Sequence, residues 1–161
     1  WNLSERRARE RTLLRCCRFD QYCACLVGFG QCTSEHTLCV SFNSPVNFRG
    51  VRMLGIEGEE YDVKLDVFSQ SVEKKFRSQR NSRGISGFDI KLPAPIQVQA
   101  NNVLPLKATI TGCNVWSIGL RGRKKVDTNG ITVNLFNTPG APSSNTTVEQ
   151  GQLDDIIFSE I

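Results

Sequence analysis

The chain has 161 residues, of which 39% are hydrophobic and 22% charged, with a formal net charge of +4. A length of this order suits a single domain whose core needs neither metal nor disulfide. No apolar run reaches the roughly 18 to 20 residues that cross a bilayer, and the first residues are charged, unlike the apolar core of a leader peptide. Neither a membrane partner nor a secretory address is expected.

The basic excess is local. Residues 1–18 hold six arginines (Arg6, Arg7, Arg9, Arg11, Arg15, Arg18) against Glu5 and Glu10, and the remainder balances 14 basic against 14 acidic side chains. A neutral body removes the compositional support for nucleic acid binding.

In chain order, Ser4–Arg15 has an N-cap serine, an early acid and the late apolar pair Leu13 and Leu14, without Gly or Pro. This predicts a short helix within a basic extension over residues 1–17, ahead of a domain over residues 18–161. Next come six of the seven cysteines, Cys16, Cys17, Cys23, Cys25, Cys32 and Cys39, with Cys113 apart. The count is odd and no C-x2-C pair starts a tetrahedral site, so free thiols in a reducing compartment fit better than disulfides or zinc. His36 stands between Glu35 and Thr37 at a strand entrance and is taken as a turn residue.

From residue 37 onward the apolar residues recur every second position, the mark of half-buried strands. Leu38, Val40 and Phe42 lead, and Tyr61, Val63, Leu65 and Val67 give the clearest strand. Phe88, Ile90 and Leu92 form another, separated by Pro93 and Pro95 from Ile96 and Val98. Leu104, Leu106, Ala108 and Ile110 follow, then Ile131, Val133 and Leu135 after the turn Asp127–Gly130. Gln70–Gly87 and Asn137–Thr147 are polar and predicted as the two long loops. Glu57, Glu59, Glu60 and Asp62 fit a charged hairpin edge better than a calcium loop. The sum is an all-β, antiparallel β-sandwich of jelly-roll type.

Five short motifs add up to a family resemblance. The stretch Asn145 to Phe158, with Gly151-Gln152-Leu153 before a final apolar strand, resembles the closing motif of PHR domains. Val51-Arg52-Met53-Leu54-Gly55-Ile56 and Tyr61-Asp62-Val63-Lys64-Leu65 are similar to two strands of that family, and Gly119–Val126 to its glycine-bracketed loop. Arg18-Phe19 stands at the family's opening Arg-Phe, although Gln21–Gly30 lacks the usual Trp and Gly-rich continuation. The resemblance is to the PHR domains of the Pam/Highwire giant E3 ubiquitin ligases, and the departures point to a divergent copy, the second PHR domain of such a protein. It implies an intracellular, cytoplasmic module in neurons and their axons, acting in synapse formation and axon growth. It also implies a non-catalytic, monomeric module without cofactor or metal, because ubiquitin transfer in that family resides elsewhere.

The residues favour one recognition site. Arg121, Arg123, Lys124 and Lys125 crowd a loop bracketed by glycines, close to Asn114 and Trp116. Guanidinium groups bind carboxylates bidentately and Trp is a frequent interface anchor, so a protein partner with an acidic peptide segment is the expected ligand. A carbohydrate-binding sandwich, which would use exposed aromatics, is the rival, with only two Trp and two Tyr and a cysteine-rich chain against it. A hydrolase would depend on His36, and no spacing singles out a catalytic set.

Overall fold

Tyr61, Val63, Leu65 and Val67 are buried while Glu60, Asp62 and Lys64 are exposed, the alternation that the sequence predicts for a strand with one wet face. The same pattern recurs along the computed structural model, which describes residues 13–26, 33–111 and 115–161. Its strands are β1 (Leu14–Cys17), β2 (Gln21–Leu26), β3 (Thr33–Phe42), β4 (Val46–Leu54), β5 (Glu60–Val67), β6 (Gln70–Arg77) and β7 (Gln79–Arg80). They continue as β8 (Ser86–Val98), β9 (Leu104–Thr111), β10 (Val115–Leu120), β11 (Lys125–Thr128), β12 (Ile131–Phe136) and β13 (Leu153–Glu160).

Two sheets form a sandwich, one ordered β1-β13-β4-β8-β7 and the other β11-β12-β3-β9-β5-β6, and β10 and β2 pair as a separate ribbon. The strand ladders are antiparallel. Their facing sides hold one core, in which Leu38, Val40, Phe42, Leu65 and Leu106 of one sheet share a cluster with Phe48, Val51, Ile90 and Ile156 of the other. Phe42 meets Phe158 at 5.0 Å between ring centroids, and Phe88 is stacked between Tyr61 and Phe76 at 5.4 and 5.3 Å. Aromatic pairs at such spacings add to the burial of their area. Among the described residues no helix is long and apolar enough to cross a membrane.

Four sequence expectations need correction. Leu14 and Arg15, placed in a helix by the sequence, are the start of β1, where Leu14 and Cys16 pair with Phe158 and Ile156 of β13, a strand buried along nearly its whole length; residues 4–12 of that expected helix lie outside the described residues. The expected loop Gln70–Gly87 contains β6, β7 and the start of β8, because an edge strand needs only Val72 and Phe76 facing inward to dock. His36 is not a turn residue: it is 1% exposed inside β3. Finally, Pro93 and Pro95 do not end a strand but mark a bulge. Phe48 pairs with Ile96 and Gly50 with Lys91, so the four residues 92–95 of β8 lie opposite Arg49 alone, in a bulge where missing proline donors cost nothing. The loop expected at 137–147 is present between β12 and β13.

Candidate functional site

Arg18 is fully buried and directs its guanidinium at the segment before β13. Its Nε donates to Leu153 O at 2.7 Å and its Nη1 to Thr147 O and Val148 O at 3.0 Å, and the group lies 4.0 Å above the Phe19 ring. Burial lowers its pKa to about 10, so it stays charged at neutral pH and its hydrogen bonds are charge-assisted. The Arg18 carbonyl in turn accepts from Arg123 N at 2.9 Å, and Gly122 N donates to Glu149 O at 2.8 Å. A Cβ on Gly122 would collide with the Val148 carbonyl oxygen, so glycine is required by this close approach. The basic loop is thereby fixed at its backbone from one side.

Its side chains are free to reach outward. Arg121, at φ +56°, and Arg123, Lys124 and Lys125 are all exposed. Arg123 pairs with Asp20, whereas among the described residues no ion pair engages Arg121, Lys124 or Lys125. Lys125 opens β11 opposite Asn134, and Lys124 O accepts from Leu135 N at 2.9 Å. The fifth expected member, Trp116, is placed by its backbone in β10 opposite Cys25; its side chain, and Asn114 altogether, lie outside the described residues.

Behind the loop lies a network that the sequence analysis missed. Asp154 and Asp155 are buried within β13, and Tyr22 of the ribbon donates its hydroxyl to Asp154 Oδ1 at 3.0 Å. Burial and the charge of Asp155 push the Asp154 carboxyl well above the ordinary range, and burial raises Asp155 as well. Arg15 forks onto Asp89 at 3.0 and 2.6 Å and lies 3.6 Å from Asp155, while Arg52 Nη1 is 3.3 Å from Asp89. Burial opposes ionisation of Asp89, but these two guanidinium groups hold its carboxyl below the usual value. Two adjacent acids inside Leu153-Asp154-Asp155-Ile156-Ile157 are the available signal, since acids within a buried strand need partners.

Two of the thiols, Cys16 and Cys17, and the histidine are quiet. Burial pushes Cys16 up to about 12 and Cys17 up to about 11, leaving both protonated and poorly nucleophilic. Cys25, Cys32 and Cys113 are beyond the part whose side chains are described. His36 joins Thr146 Oγ1 through Nδ1 at 2.8 Å and Ser34 Oγ through Nε2 at 3.1 Å, and burial lowers its pKa to about 4. A neutral imidazole between two buried hydroxyls clasps β3 to the segment ahead of β13; it has no path to a substrate.

A cleft of about 330 Å³ separates the ribbon (Tyr22, Cys23, Ser117) from the turn after β4 (Gly55, Ile56, Glu57). Arg80 Nε and Glu57 Oε2 span its rim at 2.7 Å. With its charges paired, it is a weaker candidate than the loop.

No curated protein matches this chain. A family model described as the PHR domain does match, over residues 17–159. That span runs from the last residue of β1 nearly to the end of β13 and includes Arg18, its acceptors and the basic loop, so the chain belongs to the PHR domain family.

Proposed function

We propose that this PHR domain is a non-catalytic recognition module of a large E3 ubiquitin ligase of the Pam/Highwire class, binding acidic segments of protein partners through Arg121, Arg123, Lys124 and Lys125. The observation that carries the proposal is the combination of a fixed loop backbone with exposed cations. Gly122 and Arg123 are tied to Glu149 and Arg18, yet Arg121, Lys124 and Lys125 remain unmatched among the described residues. Loops on a rigid sandwich are the usual place for specificity. A preorganised cationic loop binds carboxylates without first losing loop entropy. Trp116 belongs to the strand that delivers the loop and is the aromatic anchor of this reading. The finer assignments, to the second PHR copy of a neuronal, cytoplasmic ligase in synapse and axon development and to a monomeric state, rest on the family resemblance and form part of the same proposal.

The test is affinity capture from neuronal lysate with the domain and with an Arg121→Glu, Lys124→Glu variant whose melting temperature matches the parent. Ligase subunits or substrates captured by the parent and lost by the variant support the loop. Equal capture by both overturns it, and binding of glycans without proteins would replace it with the carbohydrate-binding alternative.

A further inference from the structure

Among the described residues, three of the four exposed large apolar side chains belong to the six-stranded sheet or its turns, and the fourth, Ile161, follows β13 of the other sheet. Phe68 is 68% exposed, Val103 52% and Phe136 45%; strand register brings Phe136 and the turn that carries Phe68 to the level of Pro105 in the six-stranded sheet, with Val103 two residues further along. Phe136 pairs with Cys39, and Cys39 with Pro105, an exposed proline. Asp66 pairs with Lys107 in the antiparallel β5–β9 ladder, so the turn that carries Phe68 lies at the end of that ladder where Pro105 stands. Val103 immediately precedes β9 on the same outward parity as Pro105.

The other end of this row is the basic loop. Lys125 pairs with Asn134, so two residues outward Arg123 stands beside Phe136, in agreement with the bond from Leu135 N to Lys124 O. The outer face thus runs from cations through Phe136, Cys39 and Pro105 to Phe68. Cys39 is covered by Thr138, whose hydroxyl lies 3.6 Å from the thiol, and its flanking neighbours are open. On the level above, Lys107 is paired to Glu35 at 3.3 Å.

Phe68 supplies an independent observation. It has φ +53° in the two-residue turn between Val67 and Gln70, a position where hairpins place Gly or Asn. A bulky, exposed aromatic in a strained conformation contributes little to the fold that holds it, and such outliers cluster where a ligand is gripped.

We propose that this face is the second half of the recognition site: it takes an extended acidic peptide whose carboxylates meet the basic loop and whose apolar side chains settle on Phe136, Pro105 and Phe68. Charge complementarity fixes the acidic end and the exposed aromatics the apolar one. Four strand spacings of about 4.8 Å separate β11 from β5, about 19 Å, the reach of about six extended residues. The inference rests on the recognition role of the loop and deepens it by naming the ligand class.

The test uses a random peptide library displayed on phage, panned on the domain, with the enriched peptides measured by fluorescence anisotropy against three variants that melt cooperatively and no lower than the parent. These are Phe68→Gly, which suits the turn's φ; Phe136→Ser; and Arg121→Glu, Lys124→Glu. Enriched peptides should combine Asp or Glu with Phe, Leu or Trp, and each variant should weaken them by about tenfold. Loss with the charge variant alone would overturn the apolar half and leave the loop reading standing. Loss with neither, or no enrichment, would overturn both. A concentration-dependent dimer in sedimentation that Phe68→Gly and Phe136→Ser abolish would assign the face to a second copy of the chain and also overturn the proposal.

Discussion

The clasp at His36 makes a pH prediction whose sign is fixed. Burial lowers His36 from 6.5 to about 4 in the folded domain, whereas the unfolded chain titrates near the ordinary value. Between those pH values the unfolded chain takes up a proton that the folded domain refuses, so stability falls as pH falls. The cost is about 2 kcal/mol at pH 5 and about 3 kcal/mol at pH 4, and none above neutral pH. Urea unfolding of the parent and a His36→Gln variant from about pH 7.5 down to about pH 4.5 isolates this contribution. The variant loses the ring's two hydroxyl partners and is less stable at neutral pH, by about 1–3 kcal/mol. It has no ring to protonate, so its deficit should shrink by about 2 kcal/mol on reaching pH 5. Asp154 and Asp155 titrate with the opposite slope but are common to both proteins and cancel in the difference. A deficit that stays constant across the range would refute the neutral, buried imidazole.

Three further outcomes follow from named contacts. Because burial and Asp155 raise the Asp154 carboxyl, its ionisation weakens the fold as pH rises; Asp154→Asn should therefore gain stability over the parent at pH 8 relative to pH 5, read from denaturant midpoints. Gly122→Ala places a methyl group against the Val148 carbonyl, so a loss of about 1–3 kcal/mol in a thermal melt is expected, with weakened ligand capture because the basic loop shifts. Phe68→Gly relieves the positive φ and should raise stability by about 1 kcal/mol, or about 2–4 °C in melting temperature for a domain of this size.

The interior of the fold was legible because period-two burial is written directly into Tyr61-Asp62-Val63-Lys64-Leu65 and into Leu104–Ile110. Strand β6 was not, since an edge strand buries one face only and Lys74 stays exposed at an inward position between Val72 and Phe76. His36 misled because β3 begins with polar residues that face inward, Ser34 and His36, and bonds to hydroxyls rather than apolar packing make their burial tolerable. The basic loop was visible as a cluster of charge, but not the division of labour within it. Asp20 engages Arg123 from a distance of more than a hundred residues, and no local pattern foretells such a partner. Arg18 was noticed as half of an Arg-Phe pair, while its acceptors at 147, 148 and 153 became apparent only once the sandwich brought both ends of the sequence together.

Strand β13 lies between β1 and β4, so two strands from the first part of the domain are joined through its last strand. Arg18 and its acceptor Leu153 are 135 residues apart. A nascent chain leaving the ribosome therefore exposes the unpaired edges of β1 and β4, and leaves a guanidinium without its carbonyls, until residue 160 has emerged. Pairings of such sequence separation fold slowly, and open edges meanwhile invite aggregation. Chaperone occupancy should persist on stalled chains that stop short of residue 153 and drop once β13 clears the exit tunnel.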